Sequence, residues 1–248
     1  MNAIETILDM YYPITLKEMD NVKLMNRVDT KFVCSPDLLP IILFDVLPYY
    51  KVLDINDNRI MPYRTIYFDT PDFKMYTQHQ NGKLNRYKVR NREYSSSDLH
   101  FMEIKFKNNK GRTIKNRIPV STTEDYLKLN ELLFVDQNTP YEATELEAKL
   151  WNSFKRITLV GHNERITIDY GLCFSDVNGF DKKCFEIAVI ETKQSSRNLQ
   201  TGIARTLKEN GIRPQNFSKY CMGASVLFNH LKSNRLKLNH LIINKISA

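Results

Sequence analysis

The residues best suited to chemistry lie between Arg86 and Val120, in the run RYKVRNREYSSSDLHFMEIKFKNNKGRTIKNRIPV. Two polar turn signals, SSSD and NNKG, divide it into three predicted strands at about 86–94, 100–107 and 112–119. Side chains alternate across a strand. On the first strand this puts Arg86, Lys88, Arg90 and Arg92 on one face. On the second, Glu103, Lys105 and Lys107 share a face opposite Met102, Ile104 and Phe106. On the third, Lys115 and Arg117 oppose Ile114 and Ile118. Like charges side by side on a sheet repel, so one such strand reads as a solvated face. Three in succession read as a surface built to hold a polyanion. Arginine offers a forked donor for phosphate oxygens and lysine a point charge.

The elements that must position these side chains follow from the rest of the chain. Residues 1–24 read as a helical lead-in broken at Pro13, and 26–33 as a strand carrying Arg27, Asp29 and Lys31 on one face. Ser35-Pro36 is a helix start. A strand at 63–69 ends in the turn Asp69-Thr-Pro71-Asp72, where the two acids suit turn and cap roles, and a short helix is expected at 72–79. After Val120 a helix is expected to open at Thr122 or Thr123, and another helical piece spans 143–152, with Glu145 and Glu147 on its solvated face. Strands at 155–160, 164–170 and 183–193 follow. The second of these sets Arg165, Thr167 and Asp169 opposite Ile166 and Ile168. A helix from about Ser195 closes at Gly211 before Pro214; FSKYCMGASVLFNHL is a further helix, and the tail carries Lys232, Arg235, Lys237 and Lys245.

These eight strand candidates with helices between them predict an α+β chain built as an eight-stranded closed antiparallel β-barrel, because closure leaves no exposed edge. The whole chain, 1–248, reads as one domain with its core at about 24–225, a helical lead-in and a basic helical tail. Counted on the inward parity, cations (Lys31, Lys88, Arg90, Arg92, Lys105, Lys115, Arg117, Arg165, Lys193) outnumber acids (Asp29, Glu103, Asp169, Glu191). Buried ions are costly unless paired, so an anionic ligand is expected to balance the excess. A chain of phosphates is the natural one.

Composition sets outer limits. Apolar residues make up 42% of 248, enough for a substantial core, and the net charge is +8. The cysteines, Cys34, Cys173, Cys184 and Cys221, lack CxxC spacing and read as buried free thiols in a reducing compartment. The start, MNAIETILDM, does not read as a signal peptide, and LLPIILFDVLPYY is too interrupted to span a bilayer. The expected location is cytoplasmic. The basic tail leaves open the inner face of a membrane or a membrane-protein partner. The histidines are dispersed, and with eight glycines there is no Walker or glycine-rich phosphate loop. The aromatic residues fall mostly at core-like positions, so no nucleic-acid partner is expected.

Several blocks together resemble the VTC domain, the catalytic part of the vacuolar transporter chaperone polyphosphate polymerase. They are Arg27-Val-Asp-Thr-Lys31, TIYFDTPDFKMY at 65–76, KVRNREY at 88–94, FMEIKFK at 101–107, KNRI at 115–118, ERITID at 164–169, IETK at 190–193 and SKYCMG at 218–223. The VTC domain belongs to the triphosphate tunnel metalloenzyme superfamily, with CYTH-type triphosphatases. The resemblance implies a tunnel fold, Mn2+ or Mg2+ as cofactor, and transfer of the γ-phosphate of ATP onto a polyphosphate chain with release of ADP. It further implies catalytic roles for Lys31, Arg90, Arg92, Lys105, Lys115, Arg165 and Lys219. Lys88, Arg117, Arg156 and Lys193 would bind phosphate, and Glu191 and Glu103 would bind metal. Where the superfamily's hydrolases tend to begin with ExExK, this chain has Arg27-x-Asp29-x-Lys31. The change favours the polymerase branch over a two-metal hydrolase. A tunnel triphosphatase and a non-catalytic polyphosphate or nucleic-acid binder remain alternatives. Neither an SPX domain nor membrane helices are read in this sequence, so the regulation and translocation of the fungal complex are not expected from it.

Overall fold

The computed structural model describes residues 3–20, 28–194 and 201–247. The expected strand position of Arg27 and the start of the helix near Ser195 lie outside the described residues. Ten strands form one sheet: β1 (Pro13–Ile14), β2 (Val28–Cys34), β3 (Lys51–Leu53), β4 (Met61–Asp69), β5 (Arg86–Tyr94), β6 (Leu99–Lys107), β7 (Thr113–Val120), β8 (Glu147–Gly161), β9 (Glu164–Asp176) and β10 (Lys182–Gln194). Among the described residues eight α-helices surround it: α1 (Ala3–Asp9), α2 (Leu16–Asp20), α3 (Leu39–Val46), α4 (Lys74–Gln80), α5 (Leu129–Asn138), α6 (Gly202–Glu209), α7 (Lys219–Leu227) and α8 (Lys237–Ile246).

The main path runs β2-β10-β9-β8-β4-β5-β6-β7, antiparallel throughout, with β3 paired to β8 and the short β1 lying parallel to β3. The eight strands of this path are the eight legible in the sequence. The expected closed barrel is not formed, and the reason is local. The outer edge of β2 is already used: Gln215 donates its N–H to the Lys31 carbonyl at 2.8 Å, and Phe32 bridges Pro214. A loop therefore covers the edge that β7 would need, which manages an exposed strand edge without closure. The sheet nonetheless curls. Register shifts in the β4–β8, β8–β9 and β9–β10 ladders bend it. The charge of Lys31 on β2 also reaches Lys88 on β5 and Lys107 on β6.

Each parity class packs differently. Facing outward, Phe32, Ile157, Leu159, Ile166, Ile168, Ala188 and Ile190 pack against α1, α3 and α6, while Ile66, Val89, Met102 and Ile104 pack against α5. On the inward face, α7 seats Tyr220, Cys221 and Met222 on Tyr63, Tyr67, Phe154 and Val189, plugging one part of the cavity. Asp69 fastens this plug as well as capping a helix. Its carboxylate accepts the N–H of Met75 and Tyr76 at 2.8 and 2.9 Å and a short bond from the Tyr220 hydroxyl.

Three sequence expectations change. Residues 147–152 are strand, not helix, because β8 pairs with β4 on one side and β9 on the other. Tertiary hydrogen bonding there outweighs local preference. The helix expected at Thr122 or Thr123 begins at Leu129, where Glu131 folds back onto the Lys128 N–H at 2.9 Å. Lastly, Cys173 and Cys184 face each other across β9 and β10 and form a disulfide, leaving Cys34 and Cys221 as buried free thiols. Gly211 keeps its expected role: at φ 70° it ends α6, and the next N–H, of Ile212, reaches the Leu207 carbonyl.

Candidate active site

Cross-strand register carries the cationic face across the whole sheet. Lys115 lies opposite Lys105, and Lys105 opposite Lys88. Arg117 lies opposite Glu103, Glu103 opposite Arg90, and Arg90 opposite Tyr67. On the far half, Arg156 pairs with Asp169, Thr167 with Glu191, Arg165 with Lys193, and Glu191 with Lys31. The curl turns these halves towards each other. Lys219 enters from the first turn of α7 above Asp169. The fold therefore gathers the expected cations of β2, β5, β6, β7, β8, β9, β10 and α7 on one concave face.

Three acids organise it, each held between two cations. Glu103, fully buried, accepts from Arg90 Nε and Nη2 at 2.8 and 2.5 Å and lies in a short ion pair with Lys115. Asp169 accepts from Arg156 Nε and Nη2 at 2.5 and 2.7 Å and makes a short contact with Lys219. Glu191 accepts from Lys31 at 2.5 Å and from Lys193 at 2.7 Å. Burial pushes the Glu103 carboxyl up, but Arg90, Arg92 and Lys115 outweigh it and hold it well below the usual range. Burial is likewise outweighed at Asp169 by Arg156 and Lys219, and at Glu191 by Lys193 and Lys31. All three stay ionised and fix the rotamers of the cations they hold.

What is left over defines the chemistry. Arg92 lies buried with Thr65 Oγ1 as its hydrogen-bond acceptor at 3.1 Å, and burial together with the Arg90 charge destabilises its cationic form. Among the described residues no carboxylate lies within ion-pairing distance of Lys105. The charge of Arg90 above all, then burial and Arg92, pull its amine well below the ordinary lysine range. Lys115 is pulled down to about 8 by burial, which outweighs its attraction to Glu103. Lys88 donates to Ser218 Oγ at 2.8 Å. An anion entering here would gain several charge-assisted bonds and relieve this repulsion.

Sequence reasoning passed over the aromatic support. Tyr63 and Phe154 stack with centroids 5.2 Å apart. Arg92 lies 5.4 Å and Arg156 4.9 Å from the Tyr63 ring, and the Lys219 amine 4.5 Å from that of Phe154. The signal was available in the alternation of Tyr63, Thr65 and Tyr67, which share the inward parity of β4. Asp169, inward by parity, anchors two cations. Arg117 lies at the rim over the Phe101 ring at 4.4 Å. Among the described residues no three His, Cys, Asp or Glu side chains converge as a preformed metal cage. No helix among them is long and apolar enough to cross a membrane.

This arrangement defines an open, curled antiparallel sheet with a cationic concave face. A candidate adenylate cyclase from Bacillus halodurans shares the fold with a TM-score of 0.54 at 15% identity, over 78% of this chain and 94% of that one. Weaker likenesses, with TM-scores of 0.49 and 0.45, are to a Hippeastrum candidate adenylyl cyclase with a dominant triphosphatase activity and a candidate adenylate cyclase from Vibrio parahaemolyticus. The first, at 15% identity, covers 82% of this chain and 97% of its own; the second, at 13%, covers 79% and 97%. No curated protein matches the chain. The VTC domain profile matches residues 26–228, and the chain belongs to that family.

Proposed function

We propose that the protein is a polyphosphate polymerase, transferring the γ-phosphate of ATP onto a phosphate chain held on the concave face. The observation that supports this most is the uncompensated group Arg92, Lys105 and Lys88, set among cations that three acids hold in place. Phosphoryl transfer asks the protein for positioning and charge neutralisation more than for covalent help. A terminal oxygen of the acceptor chain attacks the γ-phosphorus of ATP. The bond from that phosphorus to the bridging oxygen breaks, and the electron pair leaves with ADP. In this reading Arg90, Arg92, Lys105 and Lys115 hold the reacting phosphates. Lys31, Lys193, Arg165, Arg156 and Lys219 hold the phosphates on the opposite wall, with Lys88 and Arg117 adding charge on β5 and β7.

The oxygen donors suit Mg2+ or Mn2+, which accept one or two carboxylates beside phosphate oxygens and water. Glu191, with 19% of its side chain exposed, can be reached from the cavity, whereas Glu103 at 0% is closed off behind Arg90 and Lys115. Glu191 is thus the carboxylate that would hold the ion. Bound there, the ion would neutralise phosphate charge and orient the reacting oxygens. The test is incubation of purified protein with ATP and Mn2+. Accumulation of acid-stable phosphate chains with ADP is expected. Orthophosphate as the sole phosphate product would assign a tunnel triphosphatase instead, and no turnover with retained polyphosphate binding would assign a binder.

A further inference from the structure

The cationic column on β5 and β6 does not stop at Lys88 and Lys105. One pair further along, Arg86 lies opposite Lys107 on the same parity. The strand from Arg92 to Arg86 spans six residues at about 3.4 Å each, or about 20 Å, longer than a triphosphate group can cover. A further cation arrives there from beyond the family match. Arg235 lies in the 3-10 turn Asn234–Leu236, past residue 228. Its segment is pinned: the Tyr76 hydroxyl donates to the Lys232 carbonyl at 2.9 Å, Leu236 is buried, and Asn239 donates to the Asn216 carbonyl at 2.7 Å.

The guanidinium rests on Gly82, where an added Cβ would come within 2.2 Å of Arg235 Nη1. Gly82 also has φ +73°, so this position needs glycine both for the turn and for the room it leaves. Beside it lies His79, whose Nδ1 is buried with no hydrogen-bond partner. Burial and the charges of Lys88, Arg86, Arg235 and Lys107 push that imidazole down to about 3 and keep the ring neutral. Among the described residues no carboxylate forms an ion pair with Arg86, Lys107 or Arg235, although the charge of Asp29 offsets Lys107 in part. Anionic partners are thus missing where cations are densest.

We infer that Arg86, Lys107, Arg235 and His79 form an outer phosphate subsite that grips a polyphosphate chain beyond the reacting groups. The inference rests on the polyphosphate reading above and adds a length requirement to it. Short anions fill the inner cluster alone, and only longer chains reach Arg235. Arg235 is exposed, so Arg235→Glu should fold normally.

The test compares wild type and Arg235→Glu for binding of tripolyphosphate and of long-chain polyphosphate by calorimetry at one fixed salt concentration. Long-chain affinity should fall by about tenfold or more while tripolyphosphate affinity changes by less than about twofold. Gly82→Ala, which displaces the guanidinium without changing charge, should shift long-chain binding in the same direction. Equal long-chain affinity in wild type and Arg235→Glu, with tripolyphosphate still bound, would overturn the outer subsite alone. If wild type binds neither anion, the functional reading falls with it. Loss of binding to phosphatidylserine vesicles with no change for long chains would reassign Arg235 to a lipid surface and overturn the subsite.

Discussion

Glu103→Gln separates an organising acid from a metal ligand. In the native protein Glu103 is fully buried and touches two cations, with Arg92 a third charge nearby. Neutralising it strands buried charge, and breaking such a pair costs about 3–5 kcal/mol. The amide oxygen can still accept from Arg90, which places the loss near the lower figure, about 3 kcal/mol. At about 2–4 °C per kcal/mol for a chain of this size, the melting temperature should fall by about 6–12 °C. Because the folded Glu103 carboxyl lies below its unfolded value near 4.3, its contribution is present above about pH 5 and is lost on acidification. The gap between wild type and variant should therefore begin to narrow below about pH 4 and keep narrowing as the pH falls further. Tripolyphosphate can take over the missing negative charge. It should bind the variant more tightly and restore more of the melting temperature than in wild type, beyond the roughly 2.7 kcal/mol that saturation at a hundred times Kd gives any binder. Differential scanning calorimetry with and without the anion reads both effects. A variant melting within about 2 °C of wild type would refute the reasoning. So would a variant that binds the anion no better.

Arg90 and Arg92 should behave oppositely despite their shared face. Arg90→Ala leaves buried Glu103 with Lys115 as its one remaining ion-pair partner among the described residues and should cost about 3 kcal/mol in denaturant unfolding, whereas Arg92→Ala relieves repulsion and should leave stability unchanged or raised while turnover collapses. Equal stability losses for both would contradict the pairing scheme. Glu191→Gln should abolish metal-dependent transfer and leave polyphosphate binding unchanged or tighter, because a repulsive charge is gone; turnover with an unshifted Mn2+ optimum would remove its metal role. Lys115, pulled down to about 8, loses its proton as pH rises through that range, so anion affinity should fall from pH 7 to 9. Binding near pH 8 should take up protons, seen as a buffer-dependent enthalpy in calorimetry. A buffer-independent enthalpy would show that the Lys115 amine is already charged.

The sequence by itself determined the eight long strands and the face on which the cations stand, because alternation along a strand is a local property. Arg86, Lys88, Arg90 and Arg92 follow one parity whatever surrounds them, and so do Ile166 and Ile168 on the opposite one. Pairing was not legible, since it depends on which strands meet. Nothing local distinguishes Arg90, which holds Glu103, from Arg92, two residues on, which faces Thr65. The strand character of 147–152 came from two neighbours offering hydrogen bonds, and the Cys173–Cys184 bond from a hairpin register that brings the two residues opposite each other. Closure was decided in the same way. The edge pattern of β2 permits a barrel, but Gln215 and Pro214 occupy that edge first. Residues 215 and 31 are distant in sequence, and only folding puts one against the other's backbone.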